Sequence, residues 1–118
     1  MLSIAICDDE EYFRTTEKKL ISKYMAGKNC ECMIDMYESG KELLALRSAI
    51  SQYNIIFLDV NMEEIDGIET AKEIRKISKD VFIVFVTAFI TYALEGYKVD
   101  AVRYLIKDHE SLEKAMTE

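Results

Sequence analysis

Polar side chains end or directly follow four short apolar runs that lie far apart in this chain of 118 residues. They are Asp8, Asp9, Asp59, Thr87 and Lys107. If the runs are parallel strands, their carboxyl ends meet at one edge of a sheet. Three carboxylates, a hydroxyl and an ammonium group would then lie together. Carboxylate oxygens are ligands for a hard divalent cation, so the pattern predicts a site for such a cation and a phosphoryl group.

Asp59 follows the run Asn54-Ile-Ile-Phe-Leu58. A carboxylate there is costly to bury without a partner, so it is either paired or at the mouth of a site. Such a carboxylate can attack a phosphoryl donor in line and form an aspartyl phosphate. Asp8 or Asp9 with Asp59 would hold Mg2+, while Thr87 and Lys107 would stabilise charge that develops on the phosphoryl oxygens.

Each group taken alone has a simpler interpretation. The acidic run Asp8-Asp9-Glu10-Glu11 suits the start of a helix, where the dipole favours negative charge. A threonine at a strand end can cap a helix, and a lysine there can simply be solvated. Their joint occurrence at four strand ends favours the site.

Composition indicates one globular domain of 13.6 kDa. The net charge of -7 and the pI near 4.8 argue against nucleic-acid binding by this segment. No apolar run is long enough to cross a membrane and nothing resembles a signal peptide, so we expect a cytoplasmic protein without membrane contact. Three cysteines, with Cys7 inside an expected buried strand, indicate reduced thiols.

Apolar stretches that read as strands alternate with segments of helical spacing. The strands are expected over residues 2–7, 32–37, 55–58, 81–86 and 101–106. Helices are expected over 11–26, from a capping box at Ser39-Gly-Lys-Glu42 to Ile50, over 67–77 behind an Asp66 cap, over 91–95, and briefly after Lys107. This alternation predicts an α/β doubly wound parallel sheet with its crevice at the carboxyl ends of the strands.

The inward faces of the helices follow from their apolar spacing. These are Phe13, Thr16, Leu20 and Tyr24 in the first helix, Leu43, Leu46 and Ile50 in the second, and Ile68, Ala71 and Ile74 in the third.

The ordered set of motifs resembles the receiver domain of two-component response regulators over essentially the whole chain. The motifs are Asp8-Asp9, Asp59-Val-Asn-Met-Glu-Glu-Ile-Asp-Gly67, Thr87-Ala88 and Tyr104-Leu-Ile-Lys107. The segment from Thr87 to Tyr104 looks most like the receivers of LytTR-type transcription factors. The resemblance implies a flavodoxin-like fold of five βα units with a five-stranded parallel sheet of order 2-1-3-4-5.

Carried over by position, the resemblance makes Asp59 the phosphorylated residue, Asp8 and Asp9 the Mg2+ carboxylates, and the backbone carbonyl of Asn61 a further metal ligand. It implies that Thr87 moves toward the phosphoryl group and that Tyr104 turns inward. These shifts would remodel the surface of the fourth helix, the fifth strand and the fifth helix.

The resemblance also implies partners. A sensor histidine kinase would supply the phosphoryl group, and the remodelled surface would bind a partner, with a homodimer as one possibility. Residues 1–118 would form the receiver domain, and the DNA-binding output domain that LytTR-type factors carry is absent from this chain. Apart from its own aspartyl phosphorylation and dephosphorylation, the domain is not expected to be an enzyme.

Two positions depart from the pattern of the family. Asp108 and Glu63 stand where the family usually has proline, and since a cis bond to a non-proline residue costs about 3 kcal/mol, the loop at Lys107 is expected to be trans or strained. These changes keep a phosphorylation-independent interaction module with a receiver fold as an alternative.

Two further classes also place an acidic residue after an apolar strand or share the fold. A haloacid dehalogenase-like Mg2+ phosphatase usually has a second acid two residues after its nucleophile, where this chain has Asn61. A flavodoxin-like FMN module is disfavoured because the acidic loop at Asp8 would repel a phosphate.

Overall fold

The computed structural model describes residues 2–60, 65–87 and 103–106, and at residues 87 and 103–106 it describes the main chain. Five parallel strands form one sheet in the order β2-β1-β3-β4-β5. Their bounds are β1 Leu2–Cys7, β2 Cys32–Tyr37, β3 Ile55–Asp59, β4 Phe82–Thr87 and β5 Arg103–Ile106. The sheet order expected from the resemblance is confirmed.

Three α-helices and one 3-10 helix connect the first four strands. They are α1 Glu11–Gly27, α2 Gly40–Leu44, a 3-10 helix over Arg47–Gln52, and α3 Gly67–Ile77. The expected helix over 91–95 and the helix after Lys107 lie outside the described residues.

Both faces of the sheet are covered, which explains why the central runs are apolar without alternation. Alternate residues of β1, β3 and β4 enter core clusters on opposite faces of the sheet. In β3, Ile56 and Leu58 pack in the cluster that contains α3, while Ile55 and Phe57 pack in the clusters on the side of α1. A central strand of this kind can place a polar group in contact with solvent only at its ends.

The second helix is shorter than expected. It ends at Leu44, and Arg47, in the left-handed region at φ 51°, begins the 3-10 helix. Leu43 and Ile50 are buried as expected, and Leu46 is only partly buried against the same core cluster. The expected continuous helix from Ser39 to Ile50 is wrong. The left-handed turn costs on the order of 1 kcal/mol, and it lets Ile50 and Tyr53 join the same core cluster as Leu43.

The first helix buries a different line of residues from the expected one. Glu17 and Ile21 are its buried residues, while Phe13 and Leu20 pack at the margin of the core. Thr16 donates its hydroxyl proton to the carbonyl of Tyr12 at 2.7 Å rather than packing inward. Sequence spacing missed position 17 because a glutamate is seldom buried.

The third helix agrees with the expectation. Ile68, Ala71 and Ile74 are buried, and the carboxylate of Asp66 accepts a hydrogen bond from the Glu69 amide at 2.8 Å. The cap therefore fixes the point at which the chain leaves the loop after β3 and enters α3.

Three polar side chains form a hydrogen-bonded group beside the edge strand β2. The Tyr53 hydroxyl donates to Asp35 Oδ2 at 2.7 Å and is hydrogen-bonded to the Tyr37 hydroxyl. Burial of Tyr53, followed by its hydrogen bonds to Tyr37 and Asp35, raises the pKa of this phenol above its ordinary value. The protonated phenol is thus favoured in the folded chain.

We expect the free energy of unfolding to fall less steeply with rising pH in Tyr53→Phe than in the unmodified chain. Because the pKa of Tyr53 is higher in the folded than in the unfolded chain, Tyr53 makes its full contribution to the free energy of unfolding below the unfolded pKa of about 10. This contribution is lost as the pH rises above that value, by at most about 1.4 kcal/mol per pH unit. Urea unfolding at a series of pH values from about 9 to about 11 should give a shallower slope for the variant. Tyr12→Phe is the control, because the Tyr12 ring is 64% exposed, and an equal slope for Tyr53→Phe and the unmodified chain would contradict the prediction.

Candidate functional site

Strand register brings two acidic side chains to the same edge of the sheet. Cys7 of β1 is in register with Leu58 of the neighbouring β3, so Asp8, which follows β1, and Asp59, which ends β3, lie at the same edge of the sheet. Both are buried, with 0% and 1% of their surface exposed, while Asp9 is exposed. One carboxylate oxygen from each of the three residues lies within 4.8 Å of the others. The structure thus brings together the three carboxylates that the sequence analysis grouped.

This donor set fits a hard divalent cation. Three carboxylate oxygens at one point repel each other when ionised, and a cation between them removes that repulsion. Two of the three carboxylates are held in the protein interior and the third faces solvent, so an ion bound here would keep an open side for water or for a phosphoryl oxygen. The cluster could therefore hold a metal ion.

Asp8 is held by several hydrogen bonds. Its amide donates to the Tyr37 carbonyl at 3.1 Å, and its carbonyl accepts from Arg14 Nη1 at 2.8 Å. Its side-chain Oδ1 accepts from the Glu10 amide at 2.9 Å, which closes the turn into α1. Arg14 Nη2 also lies 3.7 Å from the carboxylate of Glu38. Sequence spacing did not single out Arg14.

The segment after Asp59 returns closely onto it. The Gly67 amide donates to the Val60 carbonyl at 2.8 Å, and the Val60 amide donates to Val86 at 3.3 Å. A Cβ atom at Gly67 would lie 2.1 Å from the Asp59 carbonyl oxygen and 2.7 Å from the Val60 Cα. Only glycine fits this approach, so Gly67 positions the main chain that carries Asp59.

Of the remaining residues predicted for the site, Thr87 and Tyr104 are described by their main chains. Thr87 ends β4, the strand next to Asp59, in register with Ile106 of β5. Tyr104 of β5 is in register with Phe85, so its main chain lies one strand further away. Asn61 and Lys107 lie outside the described residues. The roles of all these residues therefore stay predictions.

Cys7 lies beside the acidic cluster without sharing its chemistry. It is 1% exposed, and burial, followed by the charges of Asp8 and Asp59, raises the pKa of its thiol far above the ordinary value. The thiol stays protonated and contributes to packing rather than to metal ligation.

Among the described segments, no helix combines the length and the apolar character needed to cross a lipid bilayer.

The comparisons with known proteins agree on one family. The family described as response regulator receiver domain matches residues 4–117. The chain is 34% identical over 108 residues to the sensory transduction protein LytT of Oceanobacillus iheyensis, covering 90% of this chain and 42% of that protein. It is 32% identical over 102 residues to the transcriptional regulatory protein LytR of Staphylococcus aureus, covering 86% of this chain and 39% of that protein.

Solved structures agree on the fold. The chemotaxis protein CheY4 of Vibrio cholerae superposes with a TM-score of 0.72 at 25% identity, covering 98% of this chain and 96% of that chain. The chain spans about 40% of the length of the curated relatives that it matches.

We expect Gly67→Ala to lower the free energy of unfolding by about 3 kcal/mol, because the added methyl group meets main-chain atoms that no rotamer change can move away. Gly27→Ala is the matched control, since a Cβ at Gly27 meets nothing within 4 Å and helical alanine gains up to about 1 kcal/mol over glycine. Urea unfolding of both variants checks the contrast. Equal stability of the two alanine variants would show that the approach at Gly67 is not restrictive.

Proposed function

Because this chain belongs to the response regulator receiver domain family, we propose that it works as a phosphoacceptor in two-component signalling and that Asp59 takes the phosphoryl group. The observation that carries the proposal is the convergence of the Asp8, Asp9 and Asp59 carboxylates at the carboxyl edge of the sheet. Of these three, Asp59 is the last residue of β3, the middle strand of the five, whereas Asp8 and Asp9 follow β1.

The reaction is a nucleophilic substitution at phosphorus. A carboxylate oxygen of Asp59 forms a bond to phosphorus while the bond from phosphorus to the donor atom breaks, and the donor leaves with the electron pair and is then protonated. Water later attacks the same phosphorus and releases phosphate, which restores the carboxylate. The chain catalyses only its own phosphorylation and dephosphorylation and is not a conventional enzyme.

Mg2+ is the cofactor that we propose, held by Asp8, Asp9 and Asp59 and by the backbone carbonyl of Asn61. When bound, it neutralises the negative oxygens of the transferring group. The protein's own contribution is to keep the ligands in place before the ion arrives. The hydrogen bonds to Asp8 and the contact of Gly67 with Asp59 serve this purpose.

Thr87 and Lys107 complete the proposed site. The hydroxyl of Thr87 and the ammonium group of Lys107 would each contact a phosphoryl oxygen and stabilise its charge. The main chain of Thr87 at the end of β4, beside Asp59, supports this role. Movement of Thr87 toward the phosphoryl group, with Tyr104 of β5 turning inward, is the proposed switch.

The partners follow from the family and from the relatives. A sensor histidine kinase would be the phosphoryl donor. Residues 1–118 form the receiver domain, and we propose that in a longer regulator it controls a DNA-binding output domain, because a relative is named as a transcriptional regulatory protein. The surface around β5 would transmit the signal, with a homodimer as one form of the switched state.

A second candidate is a receiver-like interaction module that works without phosphorylation. Glu63 and Asp108 favour it, because both replace the proline that is usual in the family, four residues after Asp59 and directly after Lys107. Neither change removes a carboxylate from the cluster, so phosphorylation remains the first proposal. The haloacid dehalogenase-like phosphatase is disfavoured because its second acid would stand at Asn61.

We expect a labile phosphoryl adduct when the chain is incubated with Mg2+ and acetyl phosphate, and none for Asp59→Asn, because the amide is not a nucleophile of this kind. Intact mass measures the adduct. Asp80→Asn is the matched control, since Asp80 is an exposed aspartate that precedes β4, at the opposite end of the sheet, and it should be labelled like the unmodified chain.

Beryllofluoride provides the second arm of this experiment. Amide spectra should shift at Thr87 and Tyr104 in the unmodified chain and stay unchanged in Asp59→Asn. A chain that takes no label yet keeps its fold would favour the phosphorylation-independent module. Turnover of many phosphate esters would favour the phosphatase.

A further inference from the structure

We propose that Arg14 is a positioning residue for the metal site, where it holds the main chain of Asp8 so that the three carboxylates stay converged. This inference rests on the proposed function, because it assumes that the cluster binds Mg2+. Arg14 itself contributes no atom to the carboxylate cluster.

The first support is the way in which Asp8 is held. The amide of Asp8 is bonded to Tyr37 of β2, and its carbonyl is bonded to the guanidinium of Arg14 at 2.8 Å. Its side chain is bonded to the Glu10 amide at 2.9 Å. The sheet fixes the peptide before Asp8, but the peptide between Asp8 and Asp9 is fixed by Arg14. That second peptide joins two of the proposed metal ligands.

The second support is the environment of the guanidinium. The side chain of Arg14 is only 12% exposed, so its charge needs hydrogen-bonded partners. One nitrogen contacts the carbonyl of Asp8, and the other lies 3.7 Å from Glu38 in the segment between β2 and α2. The planar fork therefore joins α1, the loop after β1 and the segment after β2. Lysine keeps the charge but lacks the planar fork, so we expect it to hold the two contacts less well.

A positioning role and a purely electrostatic role of Arg14 predict opposite effects on the affinity of the site for Mg2+. A positive charge near the cluster, by itself, weakens the binding of a cation. A fixed Asp8 strengthens it, because the ligands are already ordered when the ion arrives. A variant that keeps the positive charge of Arg14 but loses its planar guanidinium group separates the two effects.

We expect Arg14→Lys to weaken Mg2+ binding about tenfold, as is typical when a residue that supports a metal ligand is lost. Isothermal titration calorimetry with Mg2+ alone measures this. Glu38→Asp, which keeps the charge and shortens the reach, should weaken binding in the same direction but less, and it serves as the second test if Arg14→Lys fails to fold. At saturating Mg2+, Arg14→Lys should regain the acetyl phosphate labelling of the unmodified chain.

Arg75→Lys is the matched control. Arg75 also donates from its guanidinium to main-chain carbonyls, those of Val81 at 2.6 Å and Lys79 at 3.4 Å, but these carbonyls precede β4 at the opposite end of the sheet. We expect a loss of stability in urea for this variant with unchanged Mg2+ affinity. The control thus separates general loss of stability from loss of positioning.

The outcomes distinguish this inference from the proposed function. If the unmodified chain binds Mg2+ and Arg14→Lys binds it equally well, the positioning role is overturned while the proposed function stands. Tighter binding by Arg14→Met together with unchanged binding by Arg14→Lys would assign Arg14 a purely electrostatic effect and also overturn the proposal. No Mg2+ binding by the unmodified chain would overturn the metal site and this inference with it.

Discussion

Asp8, which directly follows β1, and Asp59, which ends the neighbouring β3, are both buried, and the proximity of their carboxylates is the constraint on which the site depends. An oxygen of one lies within 4.8 Å of an oxygen of the other, and two ionised carboxylates at such a distance repel each other by roughly 3 kcal/mol at the effective dielectric constant of a protein. The sheet imposes this cost, because register alone places the two residues side by side. A cation would relieve it, and so the same proximity that makes two ionised carboxylates repel each other favours a metal ion.

The rest of the domain resists relaxation of this contact. Apolar residues on both faces of β1 and β3 prevent the strands from separating or slipping, since a slip of one residue would exchange the two core faces. Gly67 packs on the main chain of Asp59, and Arg14 holds the main chain of Asp8. Packing and hydrogen bonds therefore hold Asp8 and Asp59 close together against the repulsion between their carboxylates.

The supporting contacts come from both sides of the sheet. Arg14 belongs to α1, which packs on one face, and Gly67 begins α3, which packs on the other. The site thus draws on two separate core clusters. Asp8 and Asp59 are thus each held by an element whose own position is set by the burial of apolar groups.

Periodicity and residue type were enough to predict, in the part of the chain that the structure describes, the alternation of strands and helices, the continuous apolar strands and the acidic residues at their ends. The sequence also indicated the Asp66 cap and the inward face of α3. It could not determine the break of the second helix at Arg47 or the burial of Glu17, since both depend on neighbours from other elements.

The groups that lie around each carboxylate depend on how the elements pack together in the tertiary structure. The guanidinium of Arg14 meets the carbonyl of Asp8 because α1 folds back on the sheet, and Gly67 meets Asp59 because α3 begins directly over β3. Such contacts join a side chain to a main-chain atom or two main-chain segments, and they leave no periodic signal in the residue pattern. The types of the site residues can therefore be identified from the sequence, whereas the contacts that hold these residues in place depend on packing in three dimensions.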